Sequence, residues 1–231
     1  MKIIVLSGAG ISAESGIKTF RDADGLWEGN DVMEVASPQG WQANQDLVLD
    51  FYNQRRRQLL EVEPNYAHIA LSALENHHQV NIVTQNVDDL HERAGSSQVL
   101  HLHGELFKVR SVGNPSDIKV WKKDLHIGDK CSKGYQLRPH IVWFGEAVPM
   151  LEKAAEIVSQ ADVVIIVGTS LQVYPAAGLI SYAPKSAKVY YLDPKPFISR
   201  ELSQREHQII QKKATEGMKV IVEILTPKSD I

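Results

Sequence analysis

Lys2-Ile3-Ile4-Val5-Leu6-Ser7-Gly8-Ala9-Gly10-Ile11-Ser12-Ala13-Glu14-Ser15-Gly16 is the stretch on which the fold turns. A β-branched run that ends in glycines reads as a buried strand. Gly8, Gly10 and Ala13 then form a G-x-G-x-x-A turn. Small residues at those places let a backbone approach a pyrophosphate, whose charge would sit on N–H groups at a helix start. A tight strand-to-helix turn that binds nothing has the same local signature, so the turn alone does not name a ligand.

Working outward, Gln79 to Thr84, Val163 to Val167 and Lys188 to Leu192 are further short apolar strands. Helix-like stretches lie between them. Pro64 suits the first position of a helix, and Ala67, Ala70, Leu71 and Leu74 follow at helical spacing. Leu151 to Gln160 and Pro175 to Tyr182 are two more candidates. Strands alternating with helices predict an α/β fold, a Rossmann-like parallel sheet covered on both faces. The alternation fails from Asp22 to Glu63, apart from a helix-like segment around Leu47 to Leu60, and from Glu105 to Leu137. Segments 25–63 and 105–137 are therefore expected to form a smaller inserted module. The segments 1–24, 64–104 and 138–231 are expected to form the larger nucleotide-binding domain.

The residues after the glycines narrow the kind of nucleotide site. A hydride-transferring Rossmann enzyme carries a second strand ending in Asp or Glu about 20 residues on. Here that stretch, Thr19 to Trp27, is loop-like, which disfavours a dehydrogenase. In the second half, Val167 runs into Gly168-Thr169-Ser170, and Asp193 closes a strand about 25 residues later. Asp193 is a candidate ribose partner, or equally a strand-end turn residue before Pro194.

Composition excludes several classes. Of 231 residues, 43% are apolar and 23% charged, as in a packed soluble protein. Lys plus Arg is 25 against 28 Asp plus Glu, a net charge of −3, which argues against a general nucleic-acid binder. One cysteine rules out an intramolecular disulfide and a four-cysteine zinc site. No apolar run is long enough for a membrane helix, and the glycine turn comes too soon after the N-terminus for a signal peptide. A cytoplasmic location is expected.

Two polar groups stand out. Thr84-Gln85-Asn86-Val87-Asp88 sits where a strand ends, so its amides and carboxylate would line the sheet rim, where α/β folds bind ligands. In Leu100-His101-Leu102-His103-Gly104, the two imidazoles share one face if the chain is extended. Histidine near neutrality suits general-base work, although single histidines are more often structural.

Gly8-Ala9-Gly10-Ile11-Ser12-Ala13-Glu14-Ser15-Gly16-Ile17, Thr19-Phe20-Arg21-Asp22, Thr84 to His91, Leu102-His103-Gly104 and Gly168-Thr169-Ser170 stand in the order found in sirtuins. From Lys2 to about Gly217 the chain resembles that family of NAD-dependent protein-lysine deacylases. The resemblance implies NAD as cosubstrate, held between a Rossmann domain and a small module. The acyl oxygen of an acylated lysine displaces nicotinamide, and His103 acts as general base on a ribose hydroxyl. Asn86 and Asp88 orient the ribose and carboxamide. The resemblance also gives cofactor contacts to Gly8, Ala9, Gly10, Ala13, Gln85, Gly168, Thr169, Ser170, Asp193 and Ala214. It has Phe20 shield the sugar and places Arg21 near the phosphates. Val142, Trp143 and Phe144 match a strand to which an acyl-lysine peptide adds by backbone pairing.

Phe51-Tyr52-Asn53-Gln54-Arg55-Arg56-Arg57 bears on the acyl group. Tyr52 and Arg55 are three apart and share a helix face. A phenol beside a guanidinium suits a carboxylate, whereas composition alone reads three arginines as a solvated face. The resemblance is to the bacterial class III branch, in which a Tyr-x-x-Arg pair takes succinyl, malonyl or glutaryl groups and Ala36 matches a small pocket residue. Removal of both acetyl and succinyl groups is expected. A second function on the same scaffold is an NAD glycohydrolase or ADP-ribosyltransferase, which free ADP-ribose would reveal.

The chain departs from the family at the small module. Two Cys-x-x-Cys pairs that hold zinc are reduced to Cys131, so structural zinc is expected to be absent. Asp124, His126, Asp129 and Cys131 are the remaining donors for a mixed site. Packing around Val120, Trp121, Leu125 and Tyr135 is expected to stand in for the metal. Tyr191 stands where the family more often has Asn.

Overall fold

The computed structural model describes residues 1–18, 26–27 and 29–227. The elements run β1 (Lys2–Ser7), β2 (Leu26–Trp27), β3 (Asn30–Asp31), α1 (Val32–Val35), α2 (Pro38–Ala43), α3 (Gln45–Glu61), α4 (Tyr66–Ala73), β4 (Gln79–Thr84) and α5 (Leu90–Arg93). Next come β5 (Val99–His101), β6 (Gly104–Ser111), β7 (Ile118–Val120), β8 (Leu137–Ile141), α6 (Leu151–Val158), β9 (Val163–Val167), β10 (Lys188–Leu192), α7 (Arg200–Ser203), β11 (Gln208–Ile210) and α8 (Ala214–Leu225).

Six strands form one parallel sheet in the order β11-β10-β9-β1-β4-β5. The central strands are buried on both faces, which is why they read as unbroken Val/Ile runs rather than alternating ones. One face packs Ile3, Val5, Ile82 and Ile165 against α4 and α8 through Leu71, Met218 and Ile221. The other packs Ile4, Leu6, Val164 and Ile166 against α6 and residues 176–182 through Ala154, Val158 and Ile180. The chain leaves β1 toward β4 and β5 on one side and β9 to β11 on the other. The strand order therefore reverses at β1/β9, the switch point at which such sheets bind ligands.

A third core joins the two segments that broke the alternation. Val35, Val48, Phe51, Tyr52 and Leu59 pack with Leu106, Val109, Leu125, Leu137 and Trp143. Its sheet is antiparallel, β7-β6-β8, and β8 carries residues as far as Ile141 into it. Two polar ties cross this core. The Asn53 amide donates to the Leu125 carbonyl (3.0 Å) and its oxygen accepts the Leu125 N–H (2.9 Å). Arg56 is fully buried, donating to the Leu106 carbonyl and Asn53 Oδ1.

Several local expectations are corrected. Asn65, not Pro64, starts α4: its side chain accepts from the helix while His68 Nδ1 accepts the Asn65 N–H, a reciprocal cap. Residues 176–182 form a 3-10 helix rather than an α-helix. β6 runs through a segment that the sequence pattern leaves without a strand, because Glu105, Lys108 and Arg110 interrupt its apolar side chains. Leu125 is buried as expected, but Val120 and Tyr135 are exposed, so Val109 and Leu137 fill their places in the core.

Gly104 turns the chain from β5 into β6 at φ +81°, and a Cβ there would lie 2.0 Å from the His140 carbonyl oxygen. Gly104→Ala is expected to lower stability by about 2–3 kcal/mol, read from the urea unfolding midpoint.

Candidate active site

The two glycine loops meet at the switch point. Gly8 N–H donates to the Val167 carbonyl (3.1 Å) and Gly10 N–H to the Gly168 carbonyl (2.8 Å). A Cβ on Gly10 would lie 2.7 Å from Gly168 Cα, and one on Gly168, at φ +65°, 2.2 Å from the Ile11 nitrogen. Only glycines allow this approach. The expected helix start is instead two 3-10 turns, Ala9–Ile11 and Ala13–Ser15. The glycine N–H groups thus clamp one loop to the other rather than pointing at a pyrophosphate. Ala214, which begins α8, is buried near the turn, and Glu14 accepts from Thr215 N–H and Oγ1.

The turn after β4 closes this crevice. Gln85 Nε2 donates to Thr169 Oγ1 (3.0 Å), linking the β4 and β9 ends across β1. Asn86 Nδ2 donates to the Gly8 carbonyl and to Ser12 Oγ, both at 3.2 Å. Ser12 Oγ donates to Asp88 Oδ2 (3.0 Å). Burial raises the Asp88 carboxyl to about 6, against the Leu90 N–H and Ser12 hydroxyl that favour its charge. Behind them, His68 Nε2 lies 3.5 Å from Ser12 Oγ and His91 Nε2 2.9 Å from Ser7 Oγ. Burial holds both imidazoles neutral, His68 at about 4 and His91 well below its ordinary value.

His101 and His103 both face this turn, although the strand ends at His101. His103 Nδ1 donates to the Gln85 carbonyl (3.0 Å), because a carbonyl only accepts. Neutral His103 therefore carries its lone pair on Nε2. Burial lowers its pKa, with the Gln85 contact opposing, so the neutral form dominates at neutrality. A positioned neutral imidazole beside a carboxylate and two amides can take a proton from a bound hydroxyl.

Beside Asp88 a small pocket is lined by Ile17, Tyr52, Arg55, Gln58, Val87 and Asp88. The sequence placed Tyr52 and Arg55 on one helix face, and both line it. The Arg55 guanidinium lies 3.5 Å from the centroid of the Phe51 ring and donates to the Phe51 carbonyl. Tyr52 is wholly buried, which pushes its phenol up, and its oxygen accepts from Trp143 Nε1 (3.0 Å). Ala36 is buried nearby, with its carbonyl accepting the Phe144 N–H (2.9 Å).

Other expected site residues fall differently. Residues 142–144 lie beyond the end of β8. Val142 N–H donates to the His103 carbonyl, Phe144 is exposed, and Trp143 turns inward onto Tyr52 and the Arg138 guanidinium. Asp193 is buried and accepts the Lys195 N–H, as a strand-end turn residue does. Tyr191 donates to the Thr169 carbonyl and accepts the Phe197 N–H, fixing the second loop. Phe20 and Arg21 lie outside the described residues. Sequence reasoning gave no role to Ser12 or His68. Ser12 lay inside the glycine motif, and a His three residues after Asn65 signalled the helix cap.

Among the described residues no three His, Cys, Asp or Glu side chains are placed so that they could hold a metal ion. Asp124 pairs with Arg57, Asp129 accepts the His126 N–H, and Cys131 Sγ accepts from Ser111 Oγ. For a dinucleotide the fit is better: the glycine-only approach of two loops at the switch point, with polar side chains along its rim, suits one. No helix among the described residues is long and apolar enough to cross a membrane.

Known proteins share the sequence and fold of this chain. A model of the Sir2 family matches residues 8–175. An NAD-dependent protein deacylase of Helicobacter pylori is 68% identical over 193 residues, covering 84% of each chain. One of Bacteroides thetaiotaomicron is 51% identical over 231 residues, covering 97% of this chain and 98% of its own. A solved Sir2 homologue in complex with NAD superposes with a TM-score of 0.86 at 37% identity, covering 97% of this chain and 89% of that one.

Proposed function

Because the chain belongs to the Sir2 family, we propose that it uses NAD to remove acyl groups, acetyl and succinyl or malonyl, from protein lysine side chains. The reading rests above all on His103, whose Nδ1 is committed to the Gln85 carbonyl and whose Nε2 is left as a base at the switch-point crevice. NAD supplies a ribosyl carbon that the acyl oxygen can attack as nicotinamide leaves. His103 accepts a proton from a sugar hydroxyl, and Asn86 and Asp88 hold that sugar, oriented in turn by Gly8 and Ser12. Such orientation is worth several kcal/mol of barrier. The small module works without zinc, its place taken by the Leu125, Val109 and Leu137 packing.

For the acyl group, Tyr52 and Arg55 on one pocket wall support a substrate that ends in a carboxylate. Acetyl-lysine and succinyl-lysine peptides incubated with NAD, with products read by mass spectrometry, test both parts. O-acyl-ADP-ribose is expected from each peptide; free ADP-ribose alone would point to an NAD glycohydrolase. Arg55→Met is expected to cut desuccinylation at least ~10-fold more than deacetylation, since a charge-assisted bidentate pair is lost from only one substrate. Equal losses on the two peptides would refute the pocket assignment.

A further inference from the structure

His101 has an acceptor at each ring nitrogen. Nδ1 lies 2.9 Å from the Asn86 carbonyl oxygen, and Nε2 lies 2.7 Å from Glu92 Oε1. A carbonyl cannot donate, and neither can a carboxylate, so both contacts are hydrogen bonds only when both ring nitrogens carry hydrogen. His103, two residues on, gives its Nδ1 hydrogen to the preceding carbonyl, Gln85, and keeps Nε2 bare. Together with Leu106 N–H on the Val87 carbonyl (2.8 Å), these side chains take three successive carbonyls of the turn that carries Gln85, Asn86 and Asp88.

We infer that His101, held as an imidazolium by Glu92, is a positioning residue: it fixes the Asn86 carbonyl and so keeps the 85–88 turn in register beneath His103. The inference rests on the deacylase reading for its activity readout, but the state of the ring is a separate physical fact. The Asn86 peptide sits between the His101 clamp and a side-chain amide that reaches Gly8 and Ser12. Losing the clamp would free the turn at its middle, not at its ends.

The groups around the ring favour the charge. Glu92 and His91 face it from α5, Asp88 and Asp89 lie in the turn before that helix, and Glu105 with its partner Lys108 comes from β6. Burial opposes an imidazolium, but the Glu92 hydrogen bond and charge, the Asn86 carbonyl and Glu105 together raise the His101 pKa. Glu92 is lowered in turn: burial raises it, and the contact with His101 outweighs that. The two histidines are therefore displaced in opposite directions, and activity needs His103 without its proton and His101 with one. As pH rises through the His101 value, the remaining hydrogen stays on Nε2 toward the Glu92 carboxylate, the stronger acceptor, a lone pair on Nδ1 comes to face the Asn86 carbonyl, and the clamp opens.

The test is the pH profile of kcat/KM for NAD, measured as nicotinamide release with an acyl-lysine peptide, for the native chain and for Glu92→Gln. A bell is expected for the native chain. In Glu92→Gln the alkaline limb should move to lower pH by about one unit, because a neutral amide no longer favours the imidazolium. The acid limb, set by His103, should stay in place. An alkaline limb that does not move, or a loss equal at every pH, would overturn the inference. A second measurement needs no variant: the ring nitrogen signals of His101 by NMR should show two protonated nitrogens at neutral pH. One bare nitrogen there would also overturn it. A native chain that releases no nicotinamide would sink the deacylase reading instead, leaving the NMR result to stand alone.

Discussion

His103→Ala is expected to lower acyl removal by about 10²- to 10⁴-fold, the range a positioned general base contributes, with the Kd for NAD nearly unchanged. The separation comes from the geometry. The His103 ring reaches the turn through one hydrogen bond to the Gln85 carbonyl, whereas the crevice is built by Gly8, Gly10, Gly168 and the Gln85 side chain. Removing the ring takes away the proton acceptor and leaves the clamp between the two loops. Calorimetric titration with NAD and a peptide assay on the same preparation check it. A variant that loses NAD binding in proportion to activity would show that the ring holds the crevice together. The pH dependence has a fixed sign. Burial lowers the His103 pKa, so the base is free below the ordinary imidazole value near 6.5, and the acid limb should lie below that value.

Glu146→Ala is the second large effect, and it concerns stability. The Glu146 carboxylate accepts from Arg138 Nη1 (2.7 Å), Arg138 Nη2 (3.1 Å), Arg110 Nη2 (3.1 Å) and the Trp143 N–H (2.8 Å). The Arg138 side chain is only 10% exposed and lies over the Trp143 ring. Without Glu146, two guanidinium groups remain part-buried with no anion. Breaking a fully buried pair on one side costs about 3–5 kcal/mol; the partial exposure of Glu146 puts the expected deficit at or below the low end of that range, which chemical denaturation should still resolve. Burial pushes the Glu146 carboxyl up, but the Arg138 hydrogen bonds and charge with the Trp143 N–H push it further down, so its folded value is depressed. Its contribution is then complete above the unfolded value of about 4.3 and is lost as pH falls through the lower folded value. The variant's deficit should shrink over that acid range. A deficit that is the same at every pH would assign the effect to packing around Trp143 instead of charge.

The sheet was legible because its strands are short β-branched runs whose ends carry glycine or polar turns, as at Val5-Leu6-Ser7-Gly8 and Ile166-Val167-Gly168. That Gln85, Asn86, Asp88 and His103 would lie together was legible where motif and sheet rim coincide, and the structure joins them through the Gln85 carbonyl and Ser12. Other features depend on tertiary neighbours that no local pattern encodes. Arg56 sits in a run that composition reads as solvated, yet it is buried because α3 lies under β6 and the Leu106 carbonyl meets it. Trp143 belongs to a run that reads as a docking strand, yet its indole turns inward because Tyr52 and Arg138 provide a polar partner and a flat cation. His101 and His103 look alike in sequence, and the Glu92 carboxylate that α5 brings to His101 Nε2 has no counterpart in any local pattern. The Gly8 and Gly10 N–H groups go to carbonyls at the end of β9 and just after it, far along the chain, which no local pattern encodes.

The shared third core also bears on the order in which the chain can be assembled. During synthesis α3 leaves the ribosome well before β6, the Leu125 loop and β8 exist. Its apolar side, with Phe51, Tyr52 and Leu59, must wait in water, and Arg56 and Asn53 must stay hydrated until Leu106 and Leu125 arrive. Contacts this distant along the chain slow folding and prolong exposure of sticky surface. A nascent polypeptide halted just after β4 should therefore expose the apolar side of α3 to chaperones, and one extended past Trp143 should cover it.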